Sequence, residues 1–269
     1  MSTLTLDPPR GAVGAGEAAR RALLFGLAIQ LALLAPSLIA LGFDDRALNG
    51  TSVWSKPVKF QLSLVLLLGT LILLVPLAPP TRGLARACRI IATAAIYEIA
   101  YITLQAARGR ASHFNKETPV EAAMYSLMGV VVMVMVVAVG WIGFRIWRGP
   151  ARPGGEGLRQ GAALGLMVGA ALTVATAGVL AQGTGHWVGG VPTDAGGLPL
   201  FGWSRTGGDL RVPHFFATHV MQALPLLGLA ADRLAPRRAV PLVWAGVGVS
   251  LLVVAATFAQ AMAGRPFPG

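Results

Sequence analysis

The chain has 269 residues, of which 55% are hydrophobic and 12% charged, with a net charge of +11. A soluble domain carries roughly 25% charged residues, so too little polar surface is left to wrap this much apolar material in water. These proportions exclude a soluble globular enzyme, a disordered chain and a disulfide-built secreted module, and they point to an all-α, multi-pass membrane protein.

Residues 1–21 are Gly- and Ala-rich and read as a flexible segment ahead of the membrane domain. Arg20-Arg21 before an apolar run has the outline of a signal peptide. The run is longer than the usual h-region of about 7–15 residues, and no small-x-small cleavage site follows, so an uncleaved first span is expected. Seven stretches, 22–43, 58–77, 87–106, 121–146, 160–182, 213–234 and 239–262, are apolar enough to be spans. Each supplies the roughly 20 residues needed at 1.5 Å of rise to cross a core about 30 Å thick. The expectation is a seven-helix bundle over 22–262 with a short tail at 263–269. Within it, Thr118-Pro119-Val120-Glu121 has capping-box spacing with proline at the first helical position, and Val212-Pro213 offers a similar start to the sixth span.

Sidedness follows from the basic residues. Of the 22 Lys and Arg, thirteen fall on one side (Arg10, Arg20, Arg21, Arg82, Arg86, Arg89, Arg145, Arg148, Arg152, Arg159, Arg233, Arg237, Arg238) and nine on the other. The positive-inside rule puts the richer side in the cytoplasm, the N-terminus inside and the C-terminus outside. A multi-pass protein of the inner (plasma) membrane is the expected setting. Trp54, Trp187 and Trp203 then fall near the outer boundary and Trp141, Trp147 and Trp244 near the inner one, as an interfacial belt requires. The basic residues are scattered singly with no nucleic-acid motif, so no nucleic-acid partner is expected. Cys88, the only cysteine, reads as an inert small residue.

The polar residues inside the spans carry the functional question, because each costs several kcal/mol in hydrocarbon. On the third span Glu98, Tyr101, Gln105 and Arg108 step by three, four and three and share one face. The stripe runs on into Arg110, His113, Asn115 and Lys116. All four histidines, His113, His186, His214 and His219, sit in the outer half under this topology. Helix rise places Glu98 about 12 Å and His219 about 9 Å below the outer ends of their spans. A Glu98–His219 pair at one level is therefore expected, with Gln222 on the face of His219, as a proton relay or a carboxylate–imidazole metal site. His214 and His219 are five apart, about 140° on a helix, which does not suit one small metal ion unless the turn is irregular.

The connection 183–212 contains nine glycines, two tryptophans, two arginines and two aspartates, and reads as a folded lid over the outer mouth. Arg205, Asp209 and Arg211 suit either surface ion pairs or a small anionic or lipid-like ligand. Lys56 and Lys59 read as snorkelling residues, or as electrostatic partners for an anionic substrate or haem propionate. On the fifth span Gly161, Gly165 and Gly169 line one face, suited to packing within the bundle or to a seam in a homo-oligomer. The seventh span has no lysine to carry a retinal Schiff base.

Three functions follow. The first is a membrane oxidoreductase with haem or a transition metal at the outer face. In it Glu98, Tyr101 and His219 are catalytic, and His113, His186, His214 and His219 are candidate ligands. Arg108, Arg110, Arg205, Arg211, Gln105 and Gln222 hold the cofactor or its anionic groups. The second is a carrier or channel for a proton, ion or small solute using Glu98. The third is a non-catalytic receptor or assembly partner, for which the glycine face is the only sign.

Overall fold

The computed structural model describes residues 10–150 and 154–268. Its architecture is all-α: α1 (Arg10–Phe43), α2 (Ser55–Leu74), α3 (Arg82–Ala107), α4 (Pro119–Arg148), α5 (Glu156–Leu180), α6 (Arg211–Leu234) and α7 (Ala239–Met262). Six of these are long and apolar enough to cross a membrane. The remaining one, α6, has 24 residues but carries Arg211, His214, His219 and Gln222. It packs between α5 and α7 through an apolar face that includes Ala217, Val220, Met221 and Leu224, and these four polar residues are half-buried. The chain is a helical membrane protein.

Most helices extend beyond the hydropathy limits, because hydropathy marks only the part in hydrocarbon while the backbone stays helical into the interface. The largest difference is at the N-terminus. Residues 10–21 are helical, contrary to the expected flexible segment, and residues 1–9 and Arg152 lie outside the described residues. Alanine is the best helix former, and here Ala15 and Ala19 are also buried, so propensity and packing agree. Glu17 and Arg21 add an i,i+4 ion pair.

Thr118 caps α4 through the N–H of Glu121, with Pro119 at the first position, as the spacing predicts. The start of α5 is capped from another helix: Asp232 of α6 accepts the N–H groups of Gly157 at 2.8 Å and Leu158 at 2.7 Å. An anion at a helix N-terminus is stabilising.

The glycine face of α5 packs on α6. A Cβ on Gly165 would lie 2.9 Å from Pro225 Cδ and 3.2 Å from the Val220 carbonyl, and one on Gly169 would lie 2.6 Å from Met221 Cγ. Pro225 has no N–H to give the preceding turn, and its ring fills the space that the glycines leave. Adjoining this seam, the core of α1–α5 is built on Leu23, Leu68, Leu71, Ile91, Ile99, Ile142 and Leu166, with free Cys88 buried among them.

Two short hairpins shape the outer end. The first pairs β1 (Ala47–Leu48) with β2 (Thr51–Ser52), and the second pairs β3 (Trp187–Val188) with β4 (Gly208–Asp209). Gly190, at φ +66°, takes the left-handed conformation that its turn needs, where a side chain would also strike Gly207.

Replacing Gly165 by Leu forces α5 and α6 apart. The expected result is a loss of about 1–3 kcal/mol, as for other overpacked cores, read as a lowered unfolding temperature in detergent.

Candidate functional site

Glu98 lies on the buried face of α3, and its side chain is almost sealed from solvent. The alanines and isoleucines around it supply no polar partner. The partner comes from the α3–α4 loop, where His113 Nε2 lies 3.5 Å from Glu98 Oε1. Glu98 Oε2 has no hydrogen-bond partner, and the buried hydroxyls of Tyr97 and Tyr101 are likewise unsatisfied. Phe60 of α2 and Tyr125 of α4 flank the imidazole, with ring centroids at 5.5 and 5.9 Å. Lys56 of α2 sits over Phe60 at 5.7 Å. Burial and this ammonium hold the His113 ring well below its usual 6.5, so it is neutral at pH 7.

The loop reaches inward because it is tied at both ends. Gln105 donates to the Ala111 carbonyl at 2.9 Å, and so does Asn115. Arg110 pairs with Glu117 and with buried Glu121, the latter at 2.9 Å. Arg108 donates to Gln105 Oε1 at 2.7 Å. Arg108, Arg110 and Gln105, expected to hold a cofactor, instead hold the protein's own loop against α4. Polar contacts also continue away from the loop. Gln30 of α1 donates to the Ala95 carbonyl at 3.1 Å, one turn below Glu98, and Gln61 of α2 donates to Ser37 at 2.9 Å. Both glutamines are fully buried, and each keeps an unpaired amide oxygen.

The lid is folded around a second charged cluster. Asp194 contacts His186 Nε2 at 3.2 Å and Arg211 at 2.9 Å, while Arg211 also pairs with Asp209 at 2.7 Å and donates to the Gly202 carbonyl at 2.7 Å. Burial alone would raise the Asp194 carboxyl, but His186 and Arg211 outweigh it and hold it below the usual 3.8. Lys59 donates to the Phe201 carbonyl at 3.0 Å, so this lysine ties the lid to α2 and does not snorkel. Arg205 is exposed.

The expected Glu98–His219 pair does not form. His219 Nδ1 meets Gln222 Oε1 at 3.2 Å, its ring lies 4.2 Å from Phe215, and Gln222 reaches Thr70 of α2 at 3.4 Å. His214 Nδ1 contacts Thr176 of α5 at 3.0 Å. Matching depth along two helices ignored azimuth and the inward fold of the 108–118 loop. The four histidines accordingly occupy three places: His113 with Glu98, His186 with Asp194, and His214 with His219 on α6. Among the described residues no group of three or more His, Cys, Asp or Glu is placed to hold a metal ion.

Sequence reasoning missed the roles of four residues: Lys56 over the Phe60 ring that flanks His113, Gln30 and Gln61 as buried interhelical donors, and Asp194 as the centre of the lid. A glutamine in the middle of an otherwise apolar span was the available signal for Gln30 and Gln61. The chain matches no protein-family model, no curated protein and no solved structure.

Two outcomes test these assignments. At His113 the unfolded chain takes up a proton as pH falls through about 6.5 while the folded ring resists it. Stability therefore falls on acidification below that value, and H113Q flattens the dependence. D194N leaves Arg211 and His186 short of an acceptor. It speeds cleavage of the 183–212 loop in limited proteolysis without lowering the helical content.

Proposed function

We propose that this membrane protein is a carrier or channel that moves a proton, alone or coupled to a small solute, through Glu98. The observation that carries the reading is a nearly inaccessible carboxylate with one oxygen on a neutral imidazole and the other unpaired. A carboxyl in this position takes up a proton on one oxygen and passes it to His113, whose ring is partly open to the outer side. The unpaired oxygens of Gln61 and Gln30 offer acceptors deeper in the bundle.

The haem or metal reading has less support. Its histidines stand in separate environments, and two of its four arginines, Arg110 and Arg211, are engaged by Glu117, Glu121, Asp194 and Asp209. An inner-membrane location rests on the charge count alone and belongs to this proposal.

Proteoliposomes with a trapped pH-sensitive dye test the reading by an external acid pulse. E98Q, which cannot bind a second proton or carry a charge, is expected to lower proton entry at least about tenfold. E98D retains measurable flux, and H113Q slows entry most at high external pH. Unchanged flux in E98Q removes Glu98 from the mechanism and overturns the proposal.

A further inference from the structure

The N-terminal end of α3, cytoplasmic under the charge-count topology, is strongly cationic. Arg82, Arg86 and Arg89 lie at positions one, five and eight of the helix, exposed on one face, and no acid occupies its first turn. The partial positive charge of the helix N-terminus opposes Arg82, and the three cations repel one another. The other helices that begin at or near a carboxylate show the opposite arrangement: Glu121 sits in the first turn of α4, and Asp232 caps α5. The carboxylates described on this side of the protein are used elsewhere. Glu17 pairs with Arg21, Glu156 with Arg159, and Asp232 with the backbone of α5.

The three arginines border a cavity of about 300 Å³ whose remaining wall is Ala15 and Ala18 of α1 and Ala85 of α3. Alanines keep the two helices close while leaving room beside them. α1 and α3 run in the same direction here, with Gly16 beside Pro80 and Gly26 beside Ala92. Next to Arg89 on α3 and farther along α1, Ile90 and Phe25 are exposed apolar side chains. The groove is thus cationic at the membrane boundary and continuous with an apolar surface inside it. That is the polarity of a phospholipid, charged head at the interface and acyl chains beyond.

We propose that the groove between α1 and α3 binds the headgroup of an anionic phospholipid of the cytoplasmic leaflet, with Arg82, Arg86 and Arg89 on its phosphate. Guanidinium forks match phosphate oxygens in pairs, and the bound anion neutralises the cationic start of α3. Alternative explanations differ in what they require. Orientation by the positive-inside rule needs only the charge, which Arg237 and Arg238 on the same side also supply. A free phosphate ion needs the arginines but not the bilayer.

Thermal unfolding of the full chain in nanodiscs separates these. Phosphatidylglycerol is expected to raise the midpoint by roughly 3–5 °C over phosphatidylcholine. R82Q/R86Q/R89Q abolishes the difference, and R237Q/R238Q keeps it. Equal loss in both variants, equal retention in both, or no difference in the wild type overturns the proposal. So does the same rise with millimolar inorganic phosphate in lipid-free detergent. Native mass spectra of the wild type and the milder R86Q provide a second readout: one phosphatidylglycerol retained per chain and depleted in R86Q supports the site, and equal retention overturns it.

Discussion

A carboxyl group taken out of water costs several kcal/mol unless a charge or hydrogen bond replaces the solvent. Glu98 is in that position, at 2% exposure on a helix whose neighbours are Ala95, Ile99 and Ile102. The outer part of the molecule is organised by what it takes to keep this group there. His113 has to be brought within 3.5 Å, which requires the 108–118 loop to fold inward and not out along the interface. A loop that dips into a bundle brings its own backbone polar groups with it. Gln105 and Asn115 answer this by binding the Ala111 carbonyl, and Arg110 by joining Glu117 to Glu121. Compensation is incomplete by one carboxylate oxygen among the described residues.

The lid and the carboxylate are mechanically linked through α2. Lys56 and Lys59 are three apart at its start and therefore on one side. The first lies by Phe60 and His113, and the second holds the Phe201 carbonyl of the lid. The anchor of the lid and the ammonium over Phe60 therefore share one stretch of α2. On the other side Arg211, at the first position of α6, is fixed by Asp194 and Asp209. The lid is thus anchored to α2 and α6, the two helices joined at depth by the Gln222–Thr70 contact. By contrast α5 and α6 are held by glycine–backbone packing that has no room for sliding.

What could be read from the sequence divides along the range of the forces involved. Spans and their order follow from the hydrophobic requirement of a 30 Å core and local capping chemistry. Hence 239–262 agrees with α7, and Thr118-Pro119 marks the start of α4. The use of Gly161, Gly165 and Gly169 was half readable: the spacing implies close approach, while the identity of the neighbour, α6, is a tertiary fact. Glu98 was identifiable because an intramembrane acid is costly wherever it sits. Its partner was not, since His113 and His219 lie at accessible depths and only the rotation of each helix and the path of a loop distinguish them. Arg211 was likewise visible as a charged residue, but its carboxylate partner Asp194, seventeen positions earlier in a glycine-rich loop, depends on the fold of the lid.

The two ends of α3 then bear opposite electrostatic relations to the same helix. At its C-terminus Arg108 lies where the helix carbonyls make a cation favourable, and it also binds Gln105. At its N-terminus Arg82 lies where a cation is unfavourable, with Arg86 and Arg89 following on the same face. The carboxylates described on that side are paired elsewhere, which is the reason for proposing an anionic lipid there. The two ends of α3 thus differ in kind: the outer one is balanced within the protein by Gln105 and Glu121, and the other leaves its cations to the surroundings.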